Sequence, residues 1–360
     1  MAAERSPAIV AVRTLAWIVA AATAIAGVVM WFGAARRPVM LVAVGDVLLD
    51  RGVARRVARD GHECLTEAIW PFLRDADIAV CNLECPLASG RAAAAKPIIF
   101  GGPAEGASWL REAGFDAVSL ANNHALDQGR DGLMRTMAGL DRAGVAWFGA
   151  GTNQAEASRP RIIRCRSKRV ALLGFTVFPD EGVFFNPSAP GTARADPTAI
   201  RRAVRLARDL GDLVIVSFHW GNEFQNLTSD AQRRIGRLAV DSGADIVVGH
   251  HPHVIQGAEV YRGGLIAYSV GNVVFDQHRR GANHALLLRA TFHRRTTDVS
   301  FEPVLIADCL PVRPDEQHAQ EILRRFRSLC EGLDTHVSLT GGSASIRLPA
   351  RGRAGSADNY

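Results

Sequence analysis

Lysine is nearly absent from this sequence, and so are blocks of like charge. Of the 42 basic residues only Lys96 and Lys168 are lysines, which we interpret as codon usage rather than chemistry. The net charge is +6, but 36 acidic residues are interspersed with the basic ones. Because no basic block and no nucleic-acid motif occurs, nucleic acid is excluded from the expected partners.

Motifs of two common site types are also missing. The six cysteines include no Cys-x-x-Cys pair, and their even number leaves three disulfides or simple burial of each thiol as open alternatives. Gly149-Ala150-Gly151 follows a predicted strand, but Gln154 stands where a dinucleotide-binding loop needs its third glycine. The 360 residues are 48% hydrophobic and 22% charged, too apolar for a disordered chain. They suit one large domain or two ordinary ones.

One apolar run is long enough to cross a membrane. Leu15–Ala35 is uncharged over 21 residues, and as a helix it would span about 31 Å, close to the hydrocarbon thickness of a bilayer. Trp17 and Trp31 stand where interfacial aromatic residues would lie. We predict a single-pass anchor preceded by residues 1–14. A cleaved signal peptide is the alternative, since Gly33 and Ala35 are small enough for a cleavage site.

The rest of the chain alternates strand and helix patterns. Apolar runs cover 39–44, 77–84 and 115–124, and five more follow: VAWFGAG, RVALLGFT, DLVIVSFHWG, ADIVVGHHPH and LIAYSVGNVVF. This pattern predicts an α/β domain over residues 38–335 with buried parallel strands. We expect a loop from Phe178 to Pro197, a helix over Asp315 to Glu331, and a disordered tail over 336–360 that is rich in Gly, Ser, Ala and Arg.

Polar residues that can bind metals follow five of these strands. Each has a local interpretation when taken alone: a turn, a salt bridge, a cap or a buried core histidine. Three imidazoles within His250-His251-Pro252-His253 are harder to explain by packing. Because ligands collect beyond the carboxyl ends of strands in α/β sheets, we predict a centre for one or two divalent ions, with Mn, Fe or Zn favoured. The candidate ligands at these strand ends are Asp46, Glu84, Asn123, His124, His219, His251 and His253.

Longer motifs carry a family resemblance. The strings VGDVLLDRG, CNLECPL, GFDAVSLANNHALDQGRDGL, GAGTNQAEASRP, VSFHWGNEF, GADIVVGHHPHVIQGAEVY and YSVGNVVFD occur in the order found in the CapA family of capsule and poly-γ-glutamate biosynthesis proteins. That family resembles the calcineurin-like metallophosphoesterases in fold. The resemblance covers about residues 40–276 and implies a four-layer α/β/β/α sandwich with a metal site at one end of two sheets.

The resemblance also implies residue roles. Asp46 would bind one ion and Glu84 would bridge. Asn123 and His219 would hold the second ion, and His251 and His253 would complete the site. His124 would protonate a leaving group, with Asp127 orienting it. Outer contacts or substrate contacts would come from Glu223, Gln256, Asn272 and Asp276, for which turn formation is an equal alternative. Leu48 departs from the phosphoesterase pattern, which has histidine there, so one metal position is a ligand short.

Three functions follow as hypotheses. The first is a membrane-anchored, metal-dependent hydrolase-like protein in biosynthesis or export of a surface polymer such as poly-γ-glutamate. The second is a non-catalytic, metal-binding component among polymer synthesis or export subunits. The third is a serine esterase using Ser269, whose surroundings resemble a degenerate nucleophile elbow. Arginines after Ala35 favour a cytoplasmic domain. The family resemblance implies an extracytoplasmic one, which we expect.

Overall fold

The computed structural model describes Trp17 and residues 37–89, 96–178, 185–277, 279 and 281–349. The chain divides into two compact units, Met1–Pro38 and Val39–Tyr360. The predicted anchor, residues 15–35, lies outside the described residues except for Trp17, so it stays a prediction. Within the described part of the chain, no helix combines the length and the apolar character needed to span a membrane.

In the second unit, helices separate most strands as far as residue 246, and strands predominate after it. The strands are β1 (Val39–Val47), β2 (Ile78–Leu83), β3 (Ala117–Ser119), β4 (Ala146–Phe148), β5 (Ala150–Gly151), β6 (Arg161–Cys165), β7 (Lys168–Thr176), β8 (Gly191–Thr192), β9 (Leu213–His219), β10 (Ile246–His250), β11 (Ala258–Tyr261), β12 (Gly264–Ala267), β13 (Asn272–Val274), β14 (His284–Phe292), β15 (Thr296–Ala307), β16 (Leu310–Val312), β17 (Ser338–Thr340) and β18 (Ser343–Pro349). The helices are α1 (Arg51–Asp60), α2 (Glu63–Leu73), α3 (Gly106–Glu112), α4 (Gly129–Ala143), α5 (Gln154–Ala157), α6 (Pro197–Leu210), α7 (Asp230–Ser242) and α8 (Glu316–Glu331).

Two sheets organise these elements. The larger sheet has the order β17-β18-β15-β14-β1-β2-β3-β4, with β13 beside β1 and β16 beside β15. Its β1 to β4 run parallel, whereas β14, β15 and β18 extend it in antiparallel fashion. The smaller sheet has the order β11-β12-β10-β9-β7-β6, and β7, β9, β10 and β12 are parallel. The short strands β5 and β8 pair separately.

Alternating side chains of β1 pack into two different cores. Leu41 and Ala43 face the smaller sheet, whereas Val42 and Val44 pack against α1 to α4. A third core lies between the smaller sheet and the helices α6 and α7, and Phe326 of α8 joins the core between the sheets. The α/β class is therefore confirmed, with layers in the order helix, sheet, sheet, helix.

The last strands correct the predicted disordered tail. Composition predicts disorder from residue 336, but residues 338–349 form β17 and β18, and β18 pairs with β15. Ile346 and Leu348 are buried in the core between the sheets. The prediction is wrong for residues 338–349 because the Ser, Ala and Arg content conceals a period-two alternation of apolar residues. Residues 350–360 lie outside the described residues. The predicted helix at Asp315–Glu331 is confirmed, with Asp315 capping α8 by accepting from the backbone N–H of His318 at 2.9 Å.

Strand ends from both sheets meet beside one tightly packed loop. Register places Asp46 opposite Asn82 in the larger sheet and His219 opposite His250 in the smaller one. A Cβ atom at Gly45 would lie 1.8 Å from the carbonyl oxygen of Gly271, so only glycine allows this backbone approach. The segment preceding β13 can therefore pass directly beside the end of β1.

Candidate metal centre

Loops after parallel strands bring the predicted ligands together. Glu84 follows β2, His219 is the last residue of β9, and His251 is the first residue after β10. His251 and His253 have φ values of 93° and 56°, in a region that residues other than glycine seldom adopt. Strained backbone of this kind concentrates at functional sites, and here it accompanies two imidazoles that both contact other predicted ligands.

The Nε2 atom of His219 lies at the middle of a donor cluster. It is 2.9 Å from Oδ1 of Asn123, 3.2 Å from Nδ1 of His251 and 3.5 Å from Oε1 of Glu84. One donor atom each from Glu84, His219 and His251 all lie within 4.8 Å of one another. Among the described residues, Oε1 of Glu84 has no hydrogen-bond partner. Ligand atoms around a tetrahedral ion at about 2.0–2.1 Å are about 3.3 Å apart, so this set fits one divalent ion.

Burial determines the protonation of this cluster. Desolvation, together with the charge of Asp46, raises the pKa of the buried Glu84 carboxyl well above its ordinary value. Desolvation and the neighbouring His251 lower the pKa of His219 well below its usual range. Desolvation and His253 lower the pKa of His251 to about 3. His219 and His251 are thus neutral, the form in which imidazole binds metals, and a cation would stabilise the Glu84 carboxylate.

A second group of side chains surrounds the fully buried Asp46. Its Oδ1 accepts a hydrogen bond of 2.9 Å from Nδ2 of Asn82 and lies 3.1 Å from Nδ1 of His250, and its Oδ2 lies 3.3 Å from Nδ1 of His253. Desolvation opposes ionisation, but the adjacent imidazoles of His250 and His253 hold the pKa of Asp46 well below its ordinary value. Desolvation acts to lower the pKa of His253, but the contact with Asp46 outweighs it and raises the pKa of His253 to about 9. Asp46 is therefore a carboxylate whose charge is compensated.

Asn82 connects the two groups. Its Nδ2 donates to Asp46 and also to Oε2 of Glu84, while its Oδ1 accepts from Nδ2 of Asn122 at 3.1 Å. It thereby orients two buried carboxylates toward the same space. The sequence analysis did not select Asn82 or His250. Both stand at strand ends inside motif strings already chosen, CNLECPL and GHHPH, and that position was the available signal.

Leu48 leaves the Asp46 group short of a ligand. Its side chain is buried in the core between the larger sheet and the helices. Of the two imidazoles in this group, His250 lies 3.1 Å from Asp46, and His253 lies 2.8 Å from Oδ1 of Asn272 through the same Nδ1 that approaches Asp46. The described residues thus provide one set of four donor residues that includes His219, and a second group around Asp46 to which Leu48 contributes no ligand.

His124 and Asp127 form a fixed pair next to the donor cluster. Nδ1 of His124 lies 2.8 Å from Oδ2 of Asp127, which also accepts from the backbone N–H of Phe100 at 2.6 Å. The Phe100 ring packs against the imidazole with centroids 4.1 Å apart. Desolvation lowers the pKa of His124 although Asp127 opposes this shift. With Nδ1 held, Nε2 is the nitrogen of His124 that can reach a ligand.

Lys96 completes this pair and was missed by sequence reasoning. Its Nζ lies 2.6 Å from Oδ1 of Asp127 and donates to the carbonyl oxygen of Asn123 at 2.7 Å. The ammonium compensates the buried Asp127 charge and secures the turn that carries Asn123 and His124. The rarity of lysine in this sequence was the only signal that could have pointed to it.

The four predicted outer residues have different surroundings. Asn272 is buried against His253. Asp276 accepts from the backbone N–H of Gly52 at 3.0 Å and pairs with Arg51 at 2.7 Å, at the start of α1. Gln256 donates to the carbonyl oxygens of residues 225 and 227 and so braces a loop. Glu223 is exposed. Asn272 is therefore the outer residue in direct contact with a predicted ligand.

The structure also decides two open alternatives. Ser269 donates from its Oγ to the carbonyl oxygen of Val254 at 2.7 Å, and the strand β13, not a helix, begins at Asn272. The helix that a nucleophile elbow requires directly after its serine is absent at this position, so the interpretation of Ser269 as an elbow was wrong. All six cysteines are free thiols, and the alternative of three disulfides is likewise wrong.

Comparison with known proteins identifies sequences similar to this chain. Residues 40–277 match the family described as bacterial capsule synthesis protein PGA_cap. The "Capsule biosynthesis protein CapA" of Bacillus anthracis is 35% identical over 245 residues, covering 66% of this chain and 60% of that protein. The "PGA biosynthesis protein CapA" of Bacillus subtilis (strain 168) is 30% identical over 312 residues, 82% of each chain. A "Probable polyglutamine synthesis accessory protein" of Mycobacterium tuberculosis is 29% identical over 322 residues, covering 77% of this chain and 85% of that protein.

Proposed function

Since the chain belongs to the family of bacterial capsule synthesis proteins PGA_cap, we propose that it is a metal-dependent, hydrolase-like protein in the biosynthesis or export of a capsular polymer. The observation that carries this proposal is the donor cluster around His219, with the His124–Asp127 pair beside it. Poly-γ-glutamate is the proposed polymer because the Bacillus subtilis relative is described as a PGA biosynthesis protein. The layer order is the one expected of a metallophosphoesterase-type sandwich.

The donor cluster would hold the ion. Its residues are Glu84, Asn123, His219 and His251. When bound, a divalent ion supplies Lewis acidity toward phosphoryl or carbonyl oxygens and activates water for attack. Mn, Fe or Zn suits a set of imidazole, carboxylate and amide ligands. Asn82 fixes the Glu84 carboxylate, and the neutral imidazoles of His219 and His251 each present a lone pair.

His124 would move the proton. Asp127 accepts from its Nδ1, so a protonated His124 can donate from Nε2 to the departing oxygen or nitrogen. Lys96 holds Asp127 in place by pairing with its other carboxylate oxygen. The Phe100 ring covers one face of the imidazole and excludes water from it.

A non-catalytic role is the second candidate, because the buried Leu48 leaves the Asp46 group without a further imidazole. In that case the ion would stabilise a component of a synthesis or export complex. The mycobacterial relative is described as an accessory protein, which supports synthesis subunits as partners. For either role we propose that residues 15–35 anchor the protein in the cell membrane, with the main domain outside the cytoplasm.

The test is metal content and turnover of the full-length protein in detergent. We expect wild type to retain a divalent ion and to hydrolyse a phosphoester such as bis-p-nitrophenyl phosphate or a γ-glutamyl anilide. His219→Ala should lose the ion and turnover, and His124→Ala should lose turnover alone. His318→Ala, at an exposed histidine on α8, is the control and should change neither. Metal-free wild type, or turnover that survives chelation, would exclude a metallohydrolase. Bound metal without turnover, together with capsule loss in cells carrying His219→Ala, would favour the accessory role.

A further inference from the structure

A half-buried arginine at the end of the smaller sheet has no carboxylate partner among the described residues. Arg194 forms no ion pair with any residue that the structure describes, and its Nε is buried without a hydrogen-bond acceptor. Its guanidinium carbon lies 3.7 Å from the centre of the Phe185 ring, a stacking that holds the group in place. A cation that is held in place without a counter-charge is suited to receive an anion.

The sheet register places this arginine next to the donor cluster. Thr176 pairs with His219 in β9, and on its other side Thr176 forms a bridge with Arg194. Partners in register project their side chains to the same face of a sheet. Ala193 belongs to the core on the helix side, so Arg194 projects to the opposite face, the one that carries His219. Two strand spacings put the Cα atoms of Arg194 and His219 about 10 Å apart.

Two other cations near the centre are already neutralised. Lys96 pairs with Asp127 at 2.6 Å, and Arg51 pairs with Asp276 at 2.7 Å. Arg194 differs because its charge is not offset by a carboxylate of the described chain. A planar guanidinium presents paired N–H groups that match the two oxygens of a carboxylate or a phosphate.

We propose that Arg194 binds an oxyanion of the substrate, a carboxylate or a phosphate, while the bond to be cleaved lies at the donor cluster around His219. The substrate therefore carries an anionic group separate from its reacting group. The position of the reacting bond rests on the proposed function. Anion binding at Arg194 requires no turnover and can be measured independently of it.

The test is calorimetric titration of the full-length protein in detergent with two probes. A γ-linked glutamate trimer supplies carboxylates and pyrophosphate supplies phosphate, with the N-acetylated trimer tetraamide, which carries no charge, as the reference. Arg194→Gln should weaken binding of whichever probe the wild type binds by about 10- to 100-fold, which is the usual range for one charged hydrogen-bonded contact. Arg194→Lys keeps the charge but loses the paired N–H groups, so its affinity should fall between the two. The matched control is Arg205→Gln, at an exposed arginine of the outer helix α6.

Each outcome decides the proposal. A selective loss in Arg194→Gln supports it, and the probe affected identifies carboxylate or phosphate as the ligand. Equal affinity of Arg194→Gln and wild type, an equal loss in Arg205→Gln, or no binding of either probe by wild type overturns it. Metal content is recorded in the same samples. If wild type lacks metal yet loses anion affinity in Arg194→Gln, the hydrolase proposal fails while anion binding at Arg194 stands.

Discussion

Removing the side chain of Asn82 should weaken metal binding without unfolding the protein. In Asn82→Ala, the carboxylates of Asp46 and Glu84 lose the amide that donates to both of them. Loss of a partner that orients metal ligands typically lowers metal affinity by about 10- to 100-fold, equivalent to about 1.4–2.8 kcal/mol. We expect a decrease in this range, because Asn82 contacts one residue of the donor cluster and the central residue of the Asp46 group.

The effect on folding should be moderate. Asn122, which donates to Asn82, keeps its hydrogen bond of 2.7 Å to the carbonyl oxygen of Leu83. The main cost is one missing donor at two buried carboxylates, about 1–3 kcal/mol of unfolding free energy. Domains are typically stable by about 5–15 kcal/mol, so the variant should still fold.

Competition with a chromophoric chelator gives the affinity, and urea denaturation of chelator-treated protein gives the stability. The matched control is Asn153→Ala, which removes the cap of α5, where Oδ1 accepts from the backbone N–H of Glu156 at 2.9 Å. It should lose about 1 kcal/mol of stability and no metal affinity. Wild-type metal affinity in Asn82→Ala, or an equal decrease in the control, would refute the assignment of Asn82 as the residue that orients both carboxylates.

The other predictions concern the ion, the final strands and one glycine. Metal at 100 times its dissociation constant should stabilise wild type by about 2.7 kcal/mol in thermal scans, and His219→Ala should abolish that shift; equal shifts in both would place the ion elsewhere. Leu348→Ala should cost about 2–4 kcal/mol in urea denaturation because the side chain lies in the core between the sheets, and a loss below about 0.5 kcal/mol would contradict its burial there. Gly249→Ala should prevent soluble expression, since its Cβ would lie 1.9 Å from the carbonyl oxygen of Tyr268, whereas Gly144→Ala, with open space but a φ of 72°, should yield folded protein. Equal solubility of the two glycine variants would contradict the close packing.

The α/β class and most of the candidate site were predictable because their signals are local. Each strand is a run of apolar residues, and Asp46, Glu84 and His219 come at or just after strand ends. Parallel strands place such residues at one edge whatever the remaining topology. Composition was a poor guide to residues 338–349, where alternation decides the structure.

Sequence by itself thus determined the fold class, the family and a set of metal-binding residue types at strand ends. Tertiary structure decided which donor atoms meet: His219 faces Asn123, Glu84 and His251, while Asp46 faces His250 and His253. It also brought Lys96 to Asp127, although Lys96 stands 12 residues after Glu84, the end of the nearest predicted strand. The physical reason is that strand patterns are read within a few residues, whereas contacts between two sheets depend on register and loop closure across the whole chain.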